Sequence, residues 1–417
     1  MNSEKDKSEM KILFYNHTNI VSGAERVLLL ILSQLNFEFQ GIVMCPAGDL
    51  KRQVEAQKIP CLEVKKLEAR FTWRLDLMVQ YLISFWHVMR SVRSQIKTIN
   101  PDLIHANSIR AGLVITAATA GLKVPVIWHL HDLLPHHPIS TAIRLFVLLA
   151  SSRIKLLAVS QATANRFRGV LLHPFYERVP VKTILNCADT EKFQPDEKKR
   201  FGIRSELAIN RDVPVIGIIG QITERKGQLG LLHAFKCVVQ EFPKAILLIV
   251  GEPQFNASDE KYFQLLRQMS EKLEIAAAVR FLGGRRDVPA VMQALDLLVV
   301  NSLAEPCGLV VLEGMASELP VIATAVGGSP EMIHHALNGW LVPVSNDEAL
   351  AAAIIKLSQD KLLRKRLGSA ARQHVSREFS VAKYQQKLEQ FYRQANSSDL
   401  INPSLNAVAD HCRKTNF

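Results

Sequence analysis

A chain of 417 residues is long enough for about two domains that each bury a core, and 48 % hydrophobic with 22 % charged residues is an ordinary globular composition rather than a disordered one. No apolar run of about 18 residues is present and the opening MNSEKDKSEM is too polar for a signal peptide, so a cytoplasmic location is expected. The formal charge of +12 is uneven: residues 1–188 hold 23 Lys and Arg against 13 Asp and Glu, and residues 189–417 hold 28 against 26, which fits a basic first half meeting an anionic surface or acceptor, or equally a basic proteome.

From Lys11 to Asn16 the chain reads as an apolar strand, followed by the loop His17–Gly23 and a helix over Glu25–Leu35. Strands at Gly41–Cys45, Asp102–His105, Val124–His129, Leu156–Ser160 and Thr183–Leu185 then alternate with helices at Lys51–Gln57 and Arg110–Ala120. Short apolar strands interleaved with helices predict a parallel sheet covered on both faces. The six cysteines show no C-x-x-C spacing, so reduced thiols are expected and a zinc site is not.

One helix stands out. Leu75–Ile99 places apolar residues, Phe85 and Trp86 among them, along one stripe and Arg90, Arg93 and Lys97 along another. A second apolar segment, Ile139–Leu149, is flanked by Arg144, Arg153 and Lys155. Such helices bury one face in a core or lie in a membrane interface, and the core is the commoner fate.

Asn186–Pro214 is charged, includes the run Glu197–Arg200, and reads as a hinge between two strand-helix series. The second series has strands at Val215–Gly220, Ala245–Gly251, Val279–Leu282, Leu297–Val300, Val321–Thr324 and Gly339–Val344. Helices are predicted between them and at Asp347–Gln359, Lys361–Ser376 and Val381–Gln394, before a polar tail. This is an α/β chain of two doubly wound, Rossmann-like domains, whose ligands belong outside the carboxyl ends of the strands.

Two loops carry the chemistry. Gly220–Gly227 (GQITERKG) offers a glycine turn with Arg225 and Lys226 for phosphate oxygens, or else a surface turn with two solvated cations. Asn301–Glu331 sets Glu305 in a loop and Glu313 inside a helix that starts near Gly308, whose unpaired N–H groups suit a phosphate. Gly327 and Gly328 would let a second backbone segment approach that ligand. The plain alternative is a strand-helix-strand unit with one solvated and one capping glutamate. His131, just after a strand, can hydrogen-bond a sugar hydroxyl, ligate zinc or sit satisfied in a core.

These residues resemble the GT-B glycosyltransferases of family 4 over roughly residues 11 to 392. The strongest part is E-P-x-G-L-x-x-L-E at Glu305–Glu313 with P-V-I-A-T-x-x-G-G-x-x-E at Pro320–Glu331. S-G-A-E-R at Ser22–Arg26, H-D at His131–Asp132, V-S at Val159–Ser160, N-x-x-D-x-x-x-F at Asn186–Phe193 and K-G at Lys226–Gly227 follow in the family order. Composition marks a polar tail at 1–10 and a polar, disordered tail at 396–417; the resemblance implies an acceptor-side domain at 11–188, a nucleotide-sugar domain at 189–380 facing it across a cleft, and a helix at 381–395 returning to the first domain.

The same resemblance implies that Lys226 holds the donor diphosphate, that Glu313 accepts from ribose hydroxyls, and that Glu305 with the backbone of Cys307, Gly308 and Leu309 holds the sugar and phosphate. Gly23 would admit the donor and His131 would touch the sugar near the reacting carbon, so His131, Lys226 and Glu305 are the catalytic candidates. Gln221 stands where the family usually has arginine, and Arg225 is the candidate to replace that charge. The implied reaction is retaining transfer from a nucleoside-diphosphate sugar to a hydroxyl acceptor, soluble or lipid-linked, in cell-envelope polysaccharide synthesis. No D-x-D occurs, so no metal or other cofactor is expected, nor a nucleic-acid partner; an anionic membrane surface at the inner face of the membrane is the further expectation. A non-catalytic nucleotide-sugar-binding subunit is the main alternative. A nicotinamide dehydrogenase is disfavoured by the lack of G-x-G-x-x-G after the first strand.

Overall fold

The computed structural model describes residues 9–67, 75–169, 179–254 and 257–397, with side chains of the long helix from Val79 onward. The tails expected at 1–10 and 396–417 lie largely outside the described residues. Contacts divide the chain into two compact units, Met1–Ile184 with Gln385–Phe417, and Leu185–Tyr384.

The first unit holds strands β1 (Met10–Tyr15), β2 (Phe39–Cys45), β3 (Cys61–Glu63), β4 (Leu103–Ala106), β5 (Val126–Leu130), β6 (Ile154–Ala158) and β7 (Val181–Thr183) in a parallel sheet of order β3-β2-β1-β4-β5-β6-β7. The second holds β8 (Val215–Ile219), β9 (Ile246–Val250), β10 (Val279–Gly283), β11 (Leu297–Val300), β12 (Val321–Thr324) and β13 (Trp340–Val342) in the order β10-β9-β8-β11-β12-β13. Both orders reverse beside their first strand, so each sheet has a switch point, between β1 and β4 and between β8 and β11.

Burial explains why the strands read so clearly. β4, β5, β8, β11 and β12 are buried along their whole length, as sheets covered on both faces require. The first core closes on Trp128, whose indole Nε1 donates to Thr116 Oγ1 at 3.0 Å. A Cβ at Gly112 would lie 2.3 Å from the same ring, so glycine is what lets helix Ile109–Ala118 approach β5.

Three elements depart from the sequence reading. The charged segment Asn186–Pro214 contains helix Glu197–Glu206 of the second unit. Its buried Arg204 donates to Asp296 at 2.8 Å and to the carbonyls of Ala294, Asn210, Arg211 and Val213. A charged sequence hid an anchored helix because its cations bond to carbonyls rather than to water. Helix Gln161–Arg168 and edge strand β3 were also missed, since each has too few apolar residues to show a period. The final helix, Val381–Asn396, spans the division, and from Gln385 it belongs to the first unit, where Tyr392 is fully buried.

Candidate functional site

In the second unit two loops that follow β8 and β11 are stitched together. Lys226 Nζ donates to Glu305 Oε2 at 2.6 Å, and Ser302 Oγ donates to the same oxygen at 2.8 Å. Arg225 donates to Ala304 O at 3.1 Å and its own carbonyl accepts from Leu303 N at 2.8 Å. Asn301 Nδ2 reaches Gly227 O at 2.9 Å. Gly227 adopts φ +67°, and a Cβ there would sit 2.0 Å from Asn301 O, so no side chain fits.

Glu305 is buried, and burial alone would push its carboxyl up. Lys226, the Ser302 hydroxyl and Arg225 outweigh that and hold it below the usual carboxylate range. The loop therefore carries an anion facing a cation under low exposure, the Lys226 side chain being 16 % exposed. An incoming diphosphate would find its cation, but one already shared with a carboxylate.

The helix after this loop, Leu309–Ala316, starts from Gly308 at φ +85° and has neither a side-chain cap nor an acidic residue in its first turn. A helix start without a side-chain cap leaves its first amides available to an anion. Cys307 is buried and its thiol is pushed up to about 12, chiefly by burial, so any role it has in binding falls to its backbone. Glu313 is buried inside the helix. Gly327 and Gly328 meet the Glu305 segment: a Cβ on Gly327 would lie 1.7 Å from Glu305 O, and Gly328 N donates to that oxygen at 3.0 Å. The absence of side chains at both positions lets the Glu305–Cys307 backbone lie against this turn. Gln221 is also engaged, its Nε2 donating to Asp259 Oδ2 at 3.0 Å while its carbonyl accepts from Gln228.

In the first unit the residues after β1, β4 and β5 form one polar cluster. Gly23 opens helix Gly23–Ser33, and Ser22 before it donates through N (3.0 Å) and Oγ (2.5 Å) to buried Glu25. Asn16 Nδ2 donates to Thr18 O (2.8 Å) and Glu25 Oε1 (3.2 Å). Asn107 Nδ2 donates to Asn16 Oδ1 (3.0 Å) and Ala24 O (3.3 Å), and its Oδ1 lies 3.1 Å from His131 Nε2. Burial pushes His131 down to about 3, so the ring is neutral near pH 7. Beneath it, His129 Nδ1 lies 3.1 Å from His105 Nε2, and His105 Nδ1 lies 2.8 Å from the Tyr392 hydroxyl.

Asn16, Asn107, His105 and Tyr392 carry no role in the sequence reading. A signal existed for the first two, each being an amide placed directly after an apolar strand. Among the described residues no group of three or more His, Cys, Asp and Glu is arranged to hold a metal ion.

The long helix Leu75–Ile99 splits its apolar residues. Val88, Val92 and Ile96 are in the core, with Phe85 and Met89 packed against it, while Val79, Leu82, Ile83 and Trp86 are 52, 57, 53 and 47 % exposed. Arg90 stacks over Trp86 at 4.6 Å. Arg93 is not a surface cation: it donates to the carbonyls of Ala118 and Ala120 at 2.6 and 2.8 Å, closing the end of a neighbouring helix. Arg144 is likewise buried against the carbonyls of Phe167 and Arg166. Among the described residues no helix is long and apolar enough to cross a membrane.

Doubly wound sheets with a cation-carboxylate pair and an uncapped helix N-terminus after the switch-point strands define a class. The family model described as Glycosyl transferases group 1 matches residues 199–374, and the one described as Glycosyltransferase Family 4 matches residues 21–192. The chain belongs to the GT-B glycosyltransferases of family 4. It is 32 % identical to D-inositol 3-phosphate glycosyltransferase of Corynebacterium urealyticum over 49 % of each chain, and so spans about half the length of that relative. It is 23 % identical to UDP-Gal:alpha-D-GlcNAc-diphosphoundecaprenol alpha-1,3-galactosyltransferase of Escherichia coli, over 92 % of this chain and 97 % of that one. Among solved structures, Anabaena HepE in complex with UDP and glucose has a TM-score of 0.78 and 27 % identity, covering 93 % of this chain and all of that one.

Proposed function

We propose that this protein transfers a sugar from a nucleoside-diphosphate donor to a hydroxyl acceptor, with retention and without a metal. The observation that carries the reading is the Lys226–Glu305 pair beside the uncapped start of helix Leu309–Ala316. Charge builds on the leaving diphosphate as the anomeric bond breaks, and a fixed ammonium with helix amides stabilises it where it appears. The departing phosphate takes the acceptor's proton on the face it leaves. Glu313 holds the ribose, Glu305 orients the sugar and shares Lys226, and His131 meets a sugar hydroxyl. With Gln221 bound to Asp259, Lys226 and Arg225 carry the cationic role.

The UDP complexes of HepE make uridine the first base to try, and the undecaprenol-linked acceptor of the Escherichia coli relative supports a lipid-linked acceptor here. The exposed Val79, Leu82, Ile83 and Trp86, with Arg90 alongside, support peripheral binding to an anionic membrane, with Arg93 removed from the face expected from sequence.

The test is a thermal-shift screen with UDP, GDP and ADP, followed by product analysis with the matching sugars. Stabilisation by one diphosphate and transfer of its sugar are the expected results. Binding with neither transfer nor hydrolysis would instead favour a non-catalytic nucleotide-sugar-binding subunit, the reading that the neutral Gln221 leaves second.

A further inference from the structure

The first-unit cluster determines which nitrogen of His131 carries the proton. Thr18 O and Ala24 O are backbone carbonyls and can only accept. The nitrogen of the Asn16 amide must therefore be the atom facing Thr18 O (2.8 Å), which makes Asn16 Oδ1 an acceptor. Asn107 Nδ2 bonds to that Oδ1 and to Ala24 O, so Asn107 presents its own Oδ1 to the imidazole. An amide oxygen only accepts, and His131 Nε2, 3.1 Å away, has to be the protonated nitrogen. The remaining ring atom, Nδ1, then holds a lone pair, and among the described residues no group bonds to it.

We propose that Asn107 is a positioning residue that fixes His131 as a hydrogen-bond acceptor at Nδ1, and that the site thereby selects a sugar presenting a hydroxyl there over one presenting a carboxylate. This rests on the reading that His131 meets the transferred sugar. A hydroxyl donates into the lone pair, whereas a uronate carboxylate, which only accepts, sets lone pair against lone pair. Ring protonation would relieve that clash, but burial opposes it. A site built to hydrogen-bond a sugar hydroxyl rejects a ligand that leaves its polar atom unpaired more strongly than an apolar pocket rejects a change of size.

Two measurements test this on the full chain. In ¹⁵N-labelled protein without ligand, the histidine signals that vanish in His131→Gln report the tautomer directly. Proton-bearing Nε2 with unprotonated Nδ1 is expected, and the reverse overturns the proposal whatever the protein binds. The second measurement compares UDP-glucose with UDP-glucuronate. The parent should favour the neutral sugar by at least about tenfold. Asn107→Ala, which frees the ring to present Nδ1–H, should bring that ratio below about threefold while leaving affinity for UDP itself unchanged. A merely structural role would weaken both sugars alike, and an unchanged ratio overturns the selection. If Asn107→Ala does not fold, the tautomer and the parent ratio still decide. Failure of UDP to bind would strike the uridine-donor reading, and the tautomer measurement would then decide the role of Asn107 by itself.

Discussion

Lys226 and Glu305, 79 positions apart in sequence, meet at 2.6 Å at the mouth of the second sheet. From sequence Lys226 looks like a solvated turn residue whose loss would spare stability; in the fold it neutralises a buried carboxylate. Removing one partner of such a pair leaves an uncompensated charge. Lys226→Ala should therefore lower turnover by at least about 10²-fold and also lower stability by about 1–3 kcal/mol. The double variant Lys226→Ala with Glu305→Gln should regain stability but not activity, as unfolding and rate measurements on both single variants and the double variant can check. Full stability in the single variant would mean that the pair does not persist in solution.

Glu305 sets a pH dependence with a definite sign. Its carboxyl is held below the usual range, so its contribution is fully present above the ordinary carboxylate value and is lost as pH falls through the lower folded value. Denaturant unfolding from about pH 6 to pH 3 should show a steeper loss in the parent than in Glu305→Gln. Parallel curves would assign the acid sensitivity to other groups.

Glu313→Ala should weaken nucleoside-diphosphate binding by about 1.5–3 kcal/mol, the usual worth of hydrogen bonds to a charged acceptor. Calorimetric titration with the diphosphate chosen by the screen measures it. Parent-like affinity would remove Glu313 from the ribose.

Gly327→Ala tests the packing of two loops. Gly327 lies at φ +59° with Glu305 O in the place a Cβ would take, so the variant must move the Glu305 segment. A loss of at least about 1–3 kcal/mol is expected from the backbone conformation alone. Donor affinity should fall with it, and parent-like values of both would show that the loops do not touch.

How legible this was depends on where the information lies. Apolar strands such as Leu297–Val300 and the loop motifs after them are local, so the alternation, the doubly wound class and the loops that hold Lys226 and Glu305 could all be read in order along the chain. The partners of those residues could not. Nothing near Gly327 says that Glu305 O fills its missing side chain, and nothing near Arg93 says that it ends a helix at Ala118. Arg204 looks solvated for the same reason: carbonyls that satisfy a guanidinium leave no residue-type signature.

Vesicle binding separates the two fates of the long helix. Replacing Val79, Leu82, Ile83 and Trp86 with serine spares the core positions Val88, Val92 and Ile96. Co-sedimentation with anionic vesicles should drop at least about tenfold, with the parent's binding weakened by salt. Charge reversal at Arg93 should instead destabilise the unit, because its guanidinium bonds to carbonyls. Equal sedimentation of parent and serine variant would place the membrane contact elsewhere or nowhere.

The bond between His105 and Tyr392 joins residues 287 positions apart. During synthesis the ribosome makes every strand of the first sheet, then the whole second unit, before the side chain that covers His105 exists. Until then the nascent first unit must wait with a polar pocket and the rings of Phe14 and Phe39, against which Tyr392 packs, open to solvent. Domains fold in order of emergence as a rule, but here the second has every residue of its sheet and helices before the first has all of its own, and a chain released early, short of Tyr392, would be caught with its first core unsealed.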